Sequence, residues 1–192
     1  MTNCKEINWH STRLDRMMNI RAYGKASGVP ILVFPTQDAM SDNFENFGMI
    51  EAMAEDLRSG RIQLFCVDTV DIETWSNIWG DKEWRARRQE QYYGYIIDEV
   101  VPRIHKENTS KRLPIAAGCS LGGLHAAIVF FRRPDLFDGV LSLSGVYDAK
   151  FFTDGWMNDV LYDNSPLDFL RNMPGDHPYI DLYNRRRIAL CV

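Results

Sequence analysis

A chain of 192 residues, 45% apolar and 25% charged, is long enough to bury a sizeable core without staples, and its usage excludes a disordered segment. Twenty-two Lys and Arg against 26 Asp and Glu give a net charge of -4, too acidic and too mixed for a general nucleic-acid binder. No apolar run approaches the roughly 18 residues of a membrane helix, and the opening MTNCKEINWH lacks the apolar stretch of a secretory signal. The four cysteines, Cys4, Cys66, Cys119 and Cys191, are far apart with no C-x-x-C pair, so they read as reduced thiols of a cytoplasmic protein, a pattern that a removed signal peptide would also leave.

Residues 6–23 read as two strands joined near Asp15 and Arg16, because Met18, Ile20 and Ala22 alternate with Asn19, Arg21 and Tyr23. Gly24 and Gly28 mark a turn. Ile31, Leu32, Val33 and Phe34 form a continuous apolar run, as in a strand covered on both faces. Residues 44–59 predict one helix with Ile50, Met53 and Leu57 on one side and Gly60 as its stop. Residues 62–67 predict a second buried strand, followed by a loop at 68–81 rich in Trp and acidic residues. Tyr93, Ile96, Ile97, Val100, Val101 and Ile104 recur at helical spacing, which turns one stripe of a long helix toward a sheet. Further buried strands are expected at 114–118, 140–143 and 188–192, with a helix at 121–133 stopped by Pro134. Between the last two strands, 147–165 is a long connection with room for a short helix, and 166–183 holds a helical turn or two. Apolar strands alternating with helices imply a single α/β domain over residues 1–192 with a mostly parallel sheet.

The residues that carry chemistry are Gly118-Cys119-Ser120-Leu121-Gly122, a G-x-S-x-G pattern that follows an apolar strand and opens a helix. That setting is what a nucleophile elbow requires: a sharp, strained turn that exposes the serine, with small neighbours to make room. Gly118 and Gly122 supply the room, and Ser120 becomes the candidate nucleophile at the positive end of the following helix. A capping serine in a plain turn is the bland alternative. An oxyanion hole needs the backbone N–H of Leu121 and a second donor from the loop Pro35-Thr36-Gln37-Asp38, for which the main chain of Gln37 is the choice.

These residues resemble the esterase branch of the α/β-hydrolase superfamily, the group with S-formylglutathione hydrolase, enterochelin esterases and mycolyltransferases. The stretches that carry the resemblance are ILVFPTQD, DEVVPRI at 98–104, GCSLGG, and RRPDLFDGVLSLSGVYD at 132–148. It extends from about residue 6 to the last residue. It implies the α/β-hydrolase fold with antiparallel first strands, nucleophilic Ser120 and ester chemistry through an acyl-enzyme. It also implies a triad order of serine, acid, histidine, with the acid and histidine on later strands than RIALCV. The expectation is therefore a chain that lacks the last strands and helices, with weak or no activity.

Within the chain the substitutes are poor. His10, His105 and His125 lie on a strand edge, a helix end and the helix behind Ser120, with His125 pointing away from the serine. His177 follows Ser120 but precedes the final strand, which puts it at the wrong end of the sheet. Asp148 lies at the right end, as a possible acid or a loop cap. Trp75, Trp79 and Trp84 could wall a pocket or merely pack. Arg85, Arg87 and Arg88 read as a solvated helix face, Arg185, Arg186 and Arg187 as the entry to the final strand, and Cys119 as a small apolar filler. No spacing suggests a metal site, and the chemistry calls for no cofactor. The expected ligand is a small ester or thioester. Rival readings are a non-catalytic binding or assembly module of hydrolase descent, and an acyltransferase. An apolar strand 188–192 with a free edge predicts a homo-oligomer paired through it.

Overall fold

A computed structural model describes residues 4–191. The hairpin of β1 (Cys4–Ser11) and β2 (Arg16–Gly24) opens a sheet that continues with β3 (Val29–Phe34), β4 (Ile62–Val67), β5 (Ile115–Cys119), β6 (Gly139–Leu143) and β7 (Arg187–Cys191). The seven strands lie in the order β1-β2-β4-β3-β5-β6-β7. β1 and β2 are antiparallel, β2 joins β4 antiparallel, and the pairs from β4 to β7 are parallel. This is the α/β-hydrolase type of fold, with the antiparallel hairpin first and the parallel strands after it. Val192, the end of the expected final strand, lies outside the described residues, as do residues 1–3.

The helices sort to the two faces. On one, Leu32, Phe34, Phe65 and Ala116 pack against α6 (Leu121–Arg132) and against the rod formed by α4 (Lys82–Tyr95), a π-helical turn at Ile96–Val100, and α5 (Val101–Glu107). The long helix expected from the apolar stripe is thus present with one widened turn. Pro102 explains it: proline has no N–H for the carbonyl of Asp98 and its ring crowds that carbonyl, so the turn just before it opens. α6 is buried at every residue from Leu121 to Phe131, because a third layer of Trp75, Ala86, Ala149 and Leu161 closes over it. A helix that is apolar all round is stable only in such a place.

On the other face Val33, Leu64 and Cys66 lie beneath Ile50 and Leu57. The single helix expected over 44–59 is instead three short ones, α1 (Asn43–Asn46), α2 (Met49–Ala52) and α3 (Ala54–Ser59). Gly48, at φ 75° in the left-handed region, ends the first, and Met53 at φ -99°, ψ 11° interrupts the second. The connection after β6 holds a short 3₁₀ turn at Ala149–Phe152, then α7 (Asp159–Asp163), α8 (Pro166–Arg171) and α9 (Tyr179–Arg185), which lead into β7. Among the described residues no helix is long and apolar enough to cross a membrane.

Candidate active site

β5 ends and α6 begins at Ser120, which stands exposed with φ 57° and ψ -122°. An L-residue reaches this region only under constraint, at a cost of about 1–3 kcal/mol. Three constraints are visible. The Ser120 N–H donates to Leu143 O at 2.8 Å, which ties the turn to the end of β6. A Cβ on Gly118 would fall 2.2 Å from Gly122 O, and one on Gly122 would fall 2.4 Å from Pro35 O, so the turn closes only with glycine at both positions. The same contact at Gly122 presses the start of α6 against the loop after β3, which holds Gln37.

The N–H of Leu121 belongs to the first turn of α6, where helix geometry leaves amides without intrahelical acceptors. Its side chain is anchored among Trp75, Leu124 and Leu161. Around Gln37 every neighbouring group is tied. Thr36 N–H donates to Asn43 Oδ1 at 3.1 Å, Asp38 N–H to Asp71 Oδ2 at 3.3 Å, and Ala39 N–H to Thr36 O at 3.1 Å. Gln37 Nε2 donates to Ser76 Oγ at 2.8 Å. Its own main-chain N–H has no acceptor among the described residues. Two untied amides thus flank the contact between α6 and the β3 loop, and the α6 dipole adds positive potential at the same end.

No described side chain is hydrogen-bonded to Ser120 Oγ. His125 is turned away, as expected, into a buried pair with Asp71: Nε2 and Oδ1 are 2.8 Å apart, with side chains 2% and 0% exposed. His10 lies beside Asp15 on the first hairpin, and His105 is exposed on α5. His177 precedes α9, and Nδ1 accepts the N–H of Tyr179 at 3.2 Å. Tyr183, on the same helix, reaches Phe131 O at the far end of α6 from Ser120. Asp148 caps the 3₁₀ turn by accepting the Lys150 N–H at 2.9 Å.

Two expectations about neighbouring side chains need correction. Arg85 is not on a solvated face. It is 3% exposed, with Nε donating to Thr74 O at 2.7 Å and Nη2 to Trp75 O and Phe152 O at 3.1 and 2.8 Å, and burial lowers its pKa. It fastens the Trp-rich loop to the connection after β6, where the Trp75 and Phe152 rings meet at a 50° tilt with centroids 5.2 Å apart. Cys119 is exposed rather than packed in the core, because the sheet face it shares with Leu143 is uncovered. The three tryptophans divide: Trp75 is buried, Trp84 half-exposed and Trp79 93% exposed. Arg186 and Arg187 both meet Asp138 at the entry to β7, as their position suggested. Asp71 was missed. An ionisable His125 inside an otherwise apolar helix was the signal that a polar partner had to exist.

The strained serine between a parallel strand and a helix, backed by free amides, defines the serine-elbow class of α/β-hydrolase-fold proteins. The sequence profile of the family described as "Putative esterase" matches residues 11–191, and the chain belongs to that family of ester hydrolases. No curated protein sequence matches the chain. Among solved structures, the serine hydrolase FphF of Staphylococcus aureus is similar over 97% of this chain and 77% of its own, at 15% identity and a TM-score of 0.68. An S-formylglutathione hydrolase from Agrobacterium tumefaciens matches over 96% and 83% of the two chains, at 14% identity and a TM-score of 0.68. A ferulic acid esterase matches over 92% and 74%, at 15% identity and a TM-score of 0.67.

Proposed function

We propose that the chain is a serine hydrolase of carboxylic esters or thioesters that works through an acyl-enzyme on Ser120. The observation that carries the reading is the backbone of Ser120, exposed at φ 57° and ψ -122° between β5 and α6. Strain of that kind persists only where the surrounding structure over-determines it, and such residues cluster at active sites. In the proposed step Ser120 Oγ attacks the carbonyl carbon and gives up its proton. The carbonyl oxygen becomes an oxyanion held by the N–H groups of Leu121 and Gln37. The C–O or C–S bond then breaks, and the alcohol or thiol leaves with a proton. Water releases the acid, and an alcohol in its place would give acyl transfer.

A base is the element that the described residues do not bring to Ser120 Oγ. Oxyanion stabilisation and binding alone sustain roughly 10³–10⁴-fold over water, so turnover by this chain is expected to be slow. That same observation favours the second reading, a hydrolase-like binding module. Incubation with a fluorophosphonate and with an activated aryl ester tests both. Slow formation of a Ser120 adduct, absent in Ser120→Ala, supports the hydrolase. Aryl-ester cleavage unchanged in Ser120→Ala, or no adduct after prolonged exposure of folded protein, supports the binding module.

A further inference from the structure

The buried pair of Asp71 and His125 takes no part in the acyl-enzyme step, yet it lies between the two elements that step depends on. His125 is on α6, five residues after Ser120, and Asp71 follows β4 in the acidic loop. Asp71 Oδ1 meets His125 Nε2 at 2.8 Å, and Asp71 Oδ2 accepts the N–H of Asp38 at 3.3 Å. One carboxylate therefore joins the nucleophile helix to the loop of Gln37. The main chain of Asp71 extends the link: its carbonyl accepts the N–H of Ser76 at 3.0 Å, and Ser76 Oγ accepts Gln37 Nε2. Phe34 stacks on the imidazole at 5.7 Å and Tyr92 meets it edge-on at 5.0 Å, so aromatic rings enclose the pair.

Asp38 also has φ 60°, left-handed for a residue with a side chain. The backbone there costs energy, and the buried Asp71 oxygen that accepts its N–H helps to hold it. Its neighbour Gln37 is the residue whose N–H has no acceptor among the described residues. We propose that Asp71 and His125 are positioning residues: they clamp the loop at residues 35–39 to α6 and so fix the distance between the Gln37 and Leu121 amides. This rests on the acyl-enzyme reading of Ser120. The role differs from that of an acid in a triad, because the pair points away from Ser120 and moves no proton in the reaction.

The test compares Asp71→Ala, Asp71→Leu, Asp71→Asn and His125→Asn with the unmodified chain, using the rate of fluorophosphonate attachment to Ser120 and amide exchange of residues 36–39. In attachment the serine oxygen bonds to phosphorus, fluoride leaves, and the proton goes to buffer. Asp71→Ala frees the loop and is expected to slow attachment about 10- to 100-fold, less than the 10²–10³ of deleting an oxyanion donor outright. With an activated aryl ester the loss falls on kcat, with KM changed less than about two-fold, because the oxyanion exists only in the transition state. Asp71→Asn keeps an oxygen for Asp38 and an amide facing His125, so it recovers most of the rate, whereas Asp71→Leu, of similar volume but with no acceptor for Asp38, stays as slow as Asp71→Ala, which a merely space-filling role would not predict. Exchange at 36–39 is expected to speed up in Asp71→Ala and to stay slow in Asp71→Asn. Attachment within two-fold of the unmodified rate in folded Asp71→Ala, or an Asp71→Asn as slow as Asp71→Ala, overturns the clamp. If the unmodified chain forms no adduct, the Ser120 reading fails and the exchange rates still decide the clamp. If Asp71→Ala does not fold, Asp71→Asn and His125→Asn decide it by the same two readouts.

Discussion

Val33 and Leu141 occupy one row of the sheet, on the same face and two strands apart, through the register Val33, Ala117, Leu141. Val33 is 2% exposed and Leu141 40%. Over β3 and β4 the face is closed by Ile50 and Leu57 of α2 and α3. Over β6 and β7 the described residues bring nothing: Leu143 is as open as Leu141, and β7 is exposed at every position. Both stretches are apolar, so strand composition does not decide burial here; what lies above does. The elbow sits at the border. Ser120 is tied to Phe34 and Pro35 on the covered side through Gly122, and to Leu143 on the bare side through its own N–H.

The contrast predicts that the site is fixed from the covered side. Gly122→Ala places a methyl 2.4 Å from Pro35 O and 2.5 Å from Phe34 O, backbone atoms that cannot swing away. The expected loss is about 3 kcal/mol or more in urea unfolding, with Ser120 labelling abolished. A loss below about 1 kcal/mol would mean that the β3 loop yields and is not the rigid wall described. Next in size is Val33→Ala, expected to cost about 2 kcal/mol by the same measurement, whereas Leu141→Ala in the same row should cost less than about 1 kcal/mol. Equal losses would erase the distinction between the two halves.

The sequence disclosed the strands because buried parallel strands are rich in Val, Ile, Leu and Phe, a rule that β3 and β4 follow, while the small residues of β5 were placed by the elbow that ends it. It disclosed Ser120, Gly118 and Gly122 because an elbow is local: strand, turn and helix are contiguous. Cys119 shows where alternation stops being informative. It lies on the face of Val33, as alternation implies, but one step past the cover of α2 and α3. Arg85 and Asp71 were not legible for a different reason. Their partners, Phe152 and His125, are 67 and 54 residues away, and only the fold brings them together. The break at Gly48 was hidden because the apolar spacing of Ile50, Met53 and Leu57 is met equally by one helix or by pieces.

Ser120 itself yields a smaller effect of opposite sign. Ser120→Gly removes the Cβ that makes φ 57°, ψ -122° costly, so the variant is expected to gain about 1 kcal/mol while losing all labelling. Ser120→Ala loses labelling too but keeps the strain, and its unfolding midpoint should match that of the unmodified chain. A destabilised Ser120→Gly would show that the hydroxyl, rather than the surrounding packing, holds the turn.

Leu141→Lys sharpens the contrast most finely, because its expected effect is close to nothing. Leu141 lies among Ala117, Ala189 and Leu143 on a face that no described helix covers, and a lysine there can lay its methylenes on the sheet and keep its ammonium in water. The unfolding free energy should change by no more than about 0.5 kcal/mol, as at other surface positions. The same substitution at Val33 would put a charge beneath Ile50 and Leu57 and should leave no folded protein. The experiment discriminates further if it is run across a dilution series. A second copy lying on the β6–β7 face would make the unmodified chain's midpoint rise with protein concentration, and Leu141→Lys would abolish that rise and cost well above 0.5 kcal/mol, on the order of 2. A midpoint independent of concentration, with Leu141→Lys neutral, means that the face is wet in solution and that the covered half of the sheet supplies the stability on its own.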